Sequence, residues 1–421
     1  MKKSATGEKT SLLKWAEERM KLKRELEEEK KKQQTSKEPQ DSSLVAVPCL
    51  PEDCIFHIIV RLPLESLLSS RFVCKAWYRI VNRPDFVNSH LQRSSTGLIY
   101  LTPAVKVASC SNVGSSSAME KNEFNVDANV LGLDSVAVLH WHLFSPRTRF
   151  QIKYLEIRGS KSTIKEYNVT CTGHIKAMCN GLIVLEKVVR GRGLIVMNPV
   201  TREVETVPLG TMCVPHRESY GLAFCHESSR YKLVHLFQDA SQCIGCEIMH
   251  FGSGPWRVVE GPPHGFMGWL GYPPVSAIGA LHWVPNVDHN EHILSMPLRD
   301  EEFIKIPLPN TGGIHDRVLE IGGSLGFVSR ESAIRIDVWI LKSLGGEGWA
   351  KQHSIVLDCA RDMVPLYCMG PGGELVFEHG EHLYAYDRRS QLMRKVEAKN
   401  EWRTSPGCYF PHVNSLISWR I

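Results

Sequence analysis

The spacing of apolar positions divides the chain into three stretches of different texture. From about Ser11 to Lys32, Leu12, Leu13, Trp15, Ala16, Met20 and Leu26 are thinly spread among charges, with neither Gly nor Pro. Helix formers dominate, and Glu17/Lys21, Glu27/Lys31 and Glu28/Lys32 stand four apart with the acid first. That predicts one charged helix, too sparse in apolar residues for a coiled-coil seam. A solvated helix or disordered tail, a partner-binding helix and a Lys30-Lys31-Lys32 nuclear signal all fit residues 1–43, whose last part, with Pro39, is a linker. Residues 44–93 are compact and helical. Ile55, Ile58, Ile59 and Leu62 recur at helical spacing behind Pro51, Glu52 and Asp53, which suit a helix start. Pro63 stops that helix, a second short one carries Leu67 and Leu68, and a third, Lys75 to Val81, carries Trp77 and Ile80 before Pro84. Three such helices make a poor core alone, so some of these apolar side chains remain available to a partner.

From Thr96 to Ile421, short alternating apolar runs separated by Gly, Pro, Asn and Asp give an all-β pattern. A strand, a polar turn and a second strand opened by an aromatic or aliphatic residue recur about every 44 to 54 residues. The phrases are His142 to Arg149, Val196 to Arg202, Glu247 to His250 before Trp256, and Ile293 to Met296 before Phe303. Asp337 to Ile340 before Trp349 and Leu383 to Asp387 before Val396 complete the series. That period belongs to propeller blades, each burying its faces against its neighbours. Six repeats are visible; a seventh would require Leu98–Leu101 to close with Ser415–Trp419.

Two resemblances follow. Leu50-Pro51-x-Asp53-x-Ile55, Arg61-Leu62-Pro63, Ser66-Leu67-Leu68, Arg71-Phe72-Val73-Cys74-Lys75-x-Trp77 and Pro84-x-Phe86 resemble the F-box in register along its length. The resemblance implies a three-helix module docking on a Skp-type adaptor, which bridges to a cullin scaffold. It places Leu50, Pro51, Ile55, Ile59, Leu62, Pro63, Leu68, Val73 and Trp77 on the adaptor-facing side. Further on, Cys179-Asn180-Gly181-Leu182, Asn198-Pro199-x-Thr201-Arg202, Gly221-Leu222-Ala223-Phe224 and Tyr231-Lys232-Leu233-Val234 resemble the F-box-associated, kelch-like domain of plant F-box proteins. The expected fold is therefore an all-α F-box over 44–93, then a six- or seven-bladed kelch-like β-propeller over 96–421. In that family the propeller is thought to capture the protein to be ubiquitinated.

Composition adds mostly exclusions. Apolar content is 43% and charged content 23%, as in soluble globular chains, and no apolar run is long enough for a membrane helix. The net charge is +5, and the first 40 residues hold twelve Lys/Arg against eight Glu. The remainder is nearly balanced, which argues against nucleic acid as the main ligand. Met1 to Lys9 has no apolar core, so no secretory signal is expected, and the 13 cysteines are read as reduced thiols in nucleus or cytoplasm.

The residues that could carry catalytic or cofactor chemistry all have plainer readings. Cys243-x-x-Cys246 lacks the second pair a zinc site wants, and reads as two strand cysteines. His282, Asp288, His289 and His292 lie around a polar turn and read as surface residues rather than a metal cluster. Gly191-Arg192-Gly193 reads as a hairpin turn, and nothing places a base beside Cys179. Trp256, Trp283, Trp339 and Trp349 fit inter-blade packing better than a pocket. The expectation is a non-catalytic receptor of an SCF-type ubiquitin ligase with no cofactor and an unidentified protein client. A scaffold or regulator outside ubiquitination is the alternative, with a propeller enzyme or sugar-binding module further off.

Overall fold

The computed structural model describes residues 50–103, 150–171, 174–187, 193–213, 217–241, 243–252, 254–263, 274–284, 290–312, 316–346, 348–358, 360–369, 373–380, 382–397 and 410–419. The expected N-terminal helix and linker, the phrase His142–Arg149, Gly191-Arg192, Asp288 and His289 lie outside the described residues. The chain divides into two compact units, Met1–Glu52 and Asp53–Ile421.

Among the described residues four helices, rather than the three expected for the F-box, precede the strands: α1 (Glu52–Ile59), α2 (Leu64–Ser70), α3 (Lys75–Val81) and α4 (Pro84–Arg93). Pro63 is the extended N-cap of α2, and its carbonyl accepts the Leu67 N–H at 3.0 Å. Pro84 ends α3 and also opens α4, since a proline in a first helical turn loses no hydrogen bond. The Asp85 carboxylate accepts the Phe86 N–H at 2.9 Å and pairs with Arg83 at 2.6 Å, while Phe86, Val87 and His90 bury one face. Two residues, Ser94 and Ser95, separate α4 from the first strand.

The strands form six four-stranded antiparallel sheets. Sheet 1 takes its innermost strand, Phe410–Val413, from the C-terminal end and adds Thr96–Pro103, Phe150–Arg158 and Lys161–Cys171. Sheet 2 comprises Ile175–Cys179, Leu182–Lys187, Gly193–Asn198 and Glu203–Val207. Sheet 3 comprises Glu218–Cys225, Arg230–Gln238, Ile244–His250 and Arg257–Val259. Sheet 4 comprises Val275–Ala277, Ala280–Trp283, Asn290–Pro297 and Ile304–Gly312. Sheet 5 comprises Arg317–Ile321, Ser324–Ser332, Arg335–Leu341 and Ala350–Val356. Sheet 6 comprises Val364–Cys368, Leu375–His379, His382–Asp387 and Leu392–Val396. Among the described residues there is no seventh blade. The strand containing Leu98 pairs with Phe410–Val413, Ile99 opposite Phe410, and Ser415–Trp419 is not a strand. That pairing closes the ring and removes its open edge.

The core lies between sheets. Ile99 and Ile152 of sheet 1 meet Ile183 and Leu185 of sheet 2; Leu236 and Ile248 of sheet 3 meet Leu281 and Leu294 of sheet 4. Similar apolar layers join sheets 4 and 5, 5 and 6, and 6 and 1. Two local devices repeat. The turn joining the third and fourth strands ends on a left-handed residue whose N–H returns to the carbonyl four back, from Arg202 to Asn198, Glu301 to Pro297 and Gln391 to Asp387, at 2.8–2.9 Å. An aromatic just before the fourth strand ties each of two blades to its predecessor: Trp256 Nε1 donates to the Pro208 carbonyl at 3.1 Å and Trp349 Nε1 to that of Pro307 at 2.7 Å. Trp283 Nε1 likewise crosses between blades to Ser219 Oγ at 3.1 Å.

Glycine recurs at one hairpin position in several blades. At the first-to-second-strand turn, Gly322-Gly323 is matched by Asn180-Gly181 in sheet 2 and Ile278-Gly279 in sheet 4, all with positive φ as a two-residue hairpin turn of this hand requires. At Gly181 (φ +89°) a Cβ would meet Ser415 Oγ and sit 2.7 Å from the Val413 carbonyl oxygen. Gly181→Ala is therefore expected to cost about 2 kcal/mol in urea unfolding, through backbone strain and displacement of the C-terminal segment.

Candidate adaptor-docking face

The F-box helices sort their apolar residues into two sets. Ile59, Leu67, Ile80, Val81 and Phe86 are 0% exposed and form one cluster, which continues into Ala177, Leu182, Tyr220, Leu222, Leu416 and Ile417. Leu50 is 58% exposed, Ile58 53%, Phe72 76% and Val73 62%. Apolar area left in water is costly, at roughly 25 cal/mol per Å², and its concentration on so short a module marks a contact surface.

Leu62, Glu65, Ser66, Ser69, Ser70, Val73 and Trp77 line a groove of about 420 Å³ beside α2 and α3. Glu65 reaches across to the propeller, pairing with Lys165 Nζ at 2.7 Å, and this contact holds the Glu65 carboxyl below its ordinary range. Lys165 also pairs with Glu156 at 3.1 Å.

The residues inferred from the resemblance therefore separate. Leu50, Pro51, Pro63 and Val73 are exposed; Ile55, Leu62, Leu68 and Trp77 are half-buried, with Leu62, Val73 and Trp77 brought together in the groove. Ile59 requires correction. It shares a helical face with Ile55 and Leu62, but its side chain is wholly inside the cluster and has nothing to offer a partner in this conformation. The neighbouring Ile58 is exposed instead, and so is Phe72; the phrase Arg71-Phe72-Val73 contained Phe72, whereas helical periodicity alone could not rank Ile58 above Ile59.

Burial pushes the Cys179 and Cys246 thiols up to about 12, the wrong direction for nucleophiles. His282, expected at the surface, is 1% exposed: Ser295 Oγ lies 2.7 Å from Nδ1 and the Ala277 carbonyl 3.1 Å from Nε2, and burial depresses its pKa to about 4. Among the described residues, no group of three His, Cys, Asp or Glu side chains is placed to hold a metal ion. The strongest polar cluster joins sheets 2 and 3. His235, 0% exposed, stacks on Tyr220 at 4.2 Å, with Glu247 2.8 Å from Nδ1 and Glu218 3.4 Å from Nε2. Lys176 pairs with Glu218 at 2.9 Å and Glu186 at 3.1 Å, and Glu247 accepts the N–H and hydroxyl of Thr211 at 2.6 and 3.0 Å.

The chain is thus a short helical module with apolar side chains held in water, followed by a closed six-bladed ring. The comparisons give the family. The F-box domain model matches residues 47–89 and the F-box associated beta propeller domain model residues 134–412. The chain belongs to the plant F-box proteins with an F-box-associated β-propeller. It is 25% identical over 345 residues to F-box protein CPR1 of Arabidopsis thaliana, covering 73% of each chain. It is 23% identical over 359 residues to putative F-box protein At5g52610 of the same plant, covering 82% of this chain and 88% of the relative. F-box protein At5g49610, also from Arabidopsis thaliana, is 24% identical over 371 residues, covering 82% and 90%. The domain is thus an F-box-associated propeller rather than a kelch array. An F-box implies docking to a Skp-type adaptor, and F-box proteins of this build are in general non-catalytic substrate adaptors of SCF ligases.

Proposed function

We propose that this chain is the substrate receptor of an SCF-type ubiquitin ligase, with the helical module docked on a Skp-type adaptor, a cullin beyond it, and the propeller holding a protein client in nucleus or cytoplasm. The observation that carries the reading is the exposed apolar set on the F-box, which its own core does not use. The helices share their cluster with Cys179, Val200, Phe224, Tyr231 and Phe251, which stand at one end of sheets 2 and 3. On this reading the client is held at the opposite strand ends. Tethering would then act by proximity, raising the effective concentration of client lysines near the charged conjugating enzyme.

Affinity capture tests this. Leu50→Ala with Pro51→Ala should remove adaptor and cullin from the captured set while the client stays, and should lengthen the half-life of the client in cells. Adaptor and cullin retained at wild-type level would sink the reading; adaptor captured without cullin would instead indicate a scaffold outside ubiquitination.

A further inference from the structure

We propose that the C-terminal segment Asn414–Trp419 is a strap that locks the F-box to the propeller as one rigid body. Having completed the ring, the chain leaves sheet 1 after Val413 and runs over the end of sheet 2. There two turns hold it. Asn198, 0% exposed, donates both Nδ2 hydrogens to it, to the carbonyls of Ser415 (3.1 Å) and Ile417 (2.9 Å). Its Oδ1 is occupied within its own turn by the Val200 N–H at 2.9 Å, which fixes the amide orientation. Ser415 Oγ donates to the Asn180 carbonyl at 2.5 Å. Tyr167 hydroxyl bonds Asn414, and the Trp419 indole N–H donates to Glu205.

Held this way, the segment turns Leu416, Ile417 and Trp419 into the same buried cluster as Ile59, Leu67, Ile80, Val81 and Phe86 of the helices. The two family phrases, Cys179-Asn180-Gly181 and Asn198-Pro199-x-Thr201-Arg202, thus act as the strap's receivers. A linker of only Ser94 and Ser95 and the Lys165–Glu65 pair add to the joint. The polar contacts set the path of the segment; its apolar side chains supply the adhesion. The consequence is a bridge of fixed length and angle between adaptor and client ends.

Hydrogen exchange on the full-length chain tests the strap directly. In Ile417→Ala with Trp419→Ala, amides of α1 to α4 should exchange about tenfold faster, while those of Ala280–Trp283 and Ser324–Ser332, on the far side of the ring, keep their rates. Asn198→Ala should reproduce the effect and extend it only to sheet 2. Helix amides unchanged in the double variant, or all blades loosened alike, would overturn the proposal, the second because the segment would then merely close the ring. Slack in the strap should also lower ubiquitin transfer to the client with adaptor capture unchanged. That second readout rests on the receptor role; the exchange measurement does not, so the two can fail separately.

Discussion

Replacing Phe72 and Val73 together by aspartate should weaken capture of a purified Skp-type adaptor at least about 100-fold while shifting the melting temperature by no more than about 2 °C. Phe72 is 76% exposed and Val73 62%, and neither belongs to the buried cluster, so the fold loses little with them. The adaptor would lose two apolar anchors and have to desolvate two carboxylates without partners, a cost of several kcal/mol. Ile59→Ala supplies the opposite pattern. Its side chain is fully buried, so truncation should lower stability by about 2–5 kcal/mol and reduce capture only in proportion to the unfolded fraction. Calorimetric titration and thermal melting on both variants separate contact from core. An aspartate double variant that binds like the parent chain would place the docking surface elsewhere.

The contrast between Ile58 and Ile59 shows where sequence reasoning reaches its limit. Helical periodicity puts Ile55, Ile58, Ile59 and Leu62 on one broad face; which edge of that face is covered depends on α2, α4 and the propeller, which a 3.6-residue period does not encode. Reading Pro84 only as a stop misses the fourth helix for a similar reason. A proline terminates one helix and also suits the first turn of the next, and here Asp85, Phe86, Val87 and His90 belong to that next helix. The repeat phrases were legible because each blade repeats the same local hydrogen-bonded turn. Blade number was not, since it hangs on one pairing between Ile99 and Phe410, residues with no local pattern in common. The phrases around Asn180 and Asn198 were visible as motifs, but their purpose depends on Ser415 and Ile417 and emerges only when the ring has closed.

The polar cluster between sheets 2 and 3 was invisible for the same reason, and it carries a large, pH-dependent expected effect on stability. His235 is drawn from one strand, Glu218 and Glu247 from its two neighbours, and Lys176 from the adjacent blade. Burial pulls the imidazole pKa down, but hydrogen bonds to and charges of Glu218 and Glu247 outweigh it, so the net shift from 6.5 is upward. Glu218 is also pushed up by burial, yet the contacts with His235 and Lys176 bring it down to about 2. The two shifts act in opposite pH windows. Stability from the imidazolium is complete below about pH 6.5 and is lost as pH rises through the higher folded-state value; that from Glu218 is complete above about pH 4.5 and is lost as pH falls toward 2. His235→Gln keeps a polar group of similar size without the charge, leaving Glu218 and Glu247 buried against each other's field with Lys176 as the remaining cation. It should cost about 3 kcal/mol at pH 6. In urea unfolding between pH 6 and 9, the parent chain should lose stability with a slope of at most about 1.4 kcal/mol per pH unit from this group. The variant should lack that component, so the two curves converge toward alkaline pH. Curves that run parallel across the range would show that His235 is buried neutral and that the two carboxylates are held by Lys176 and Thr211 alone.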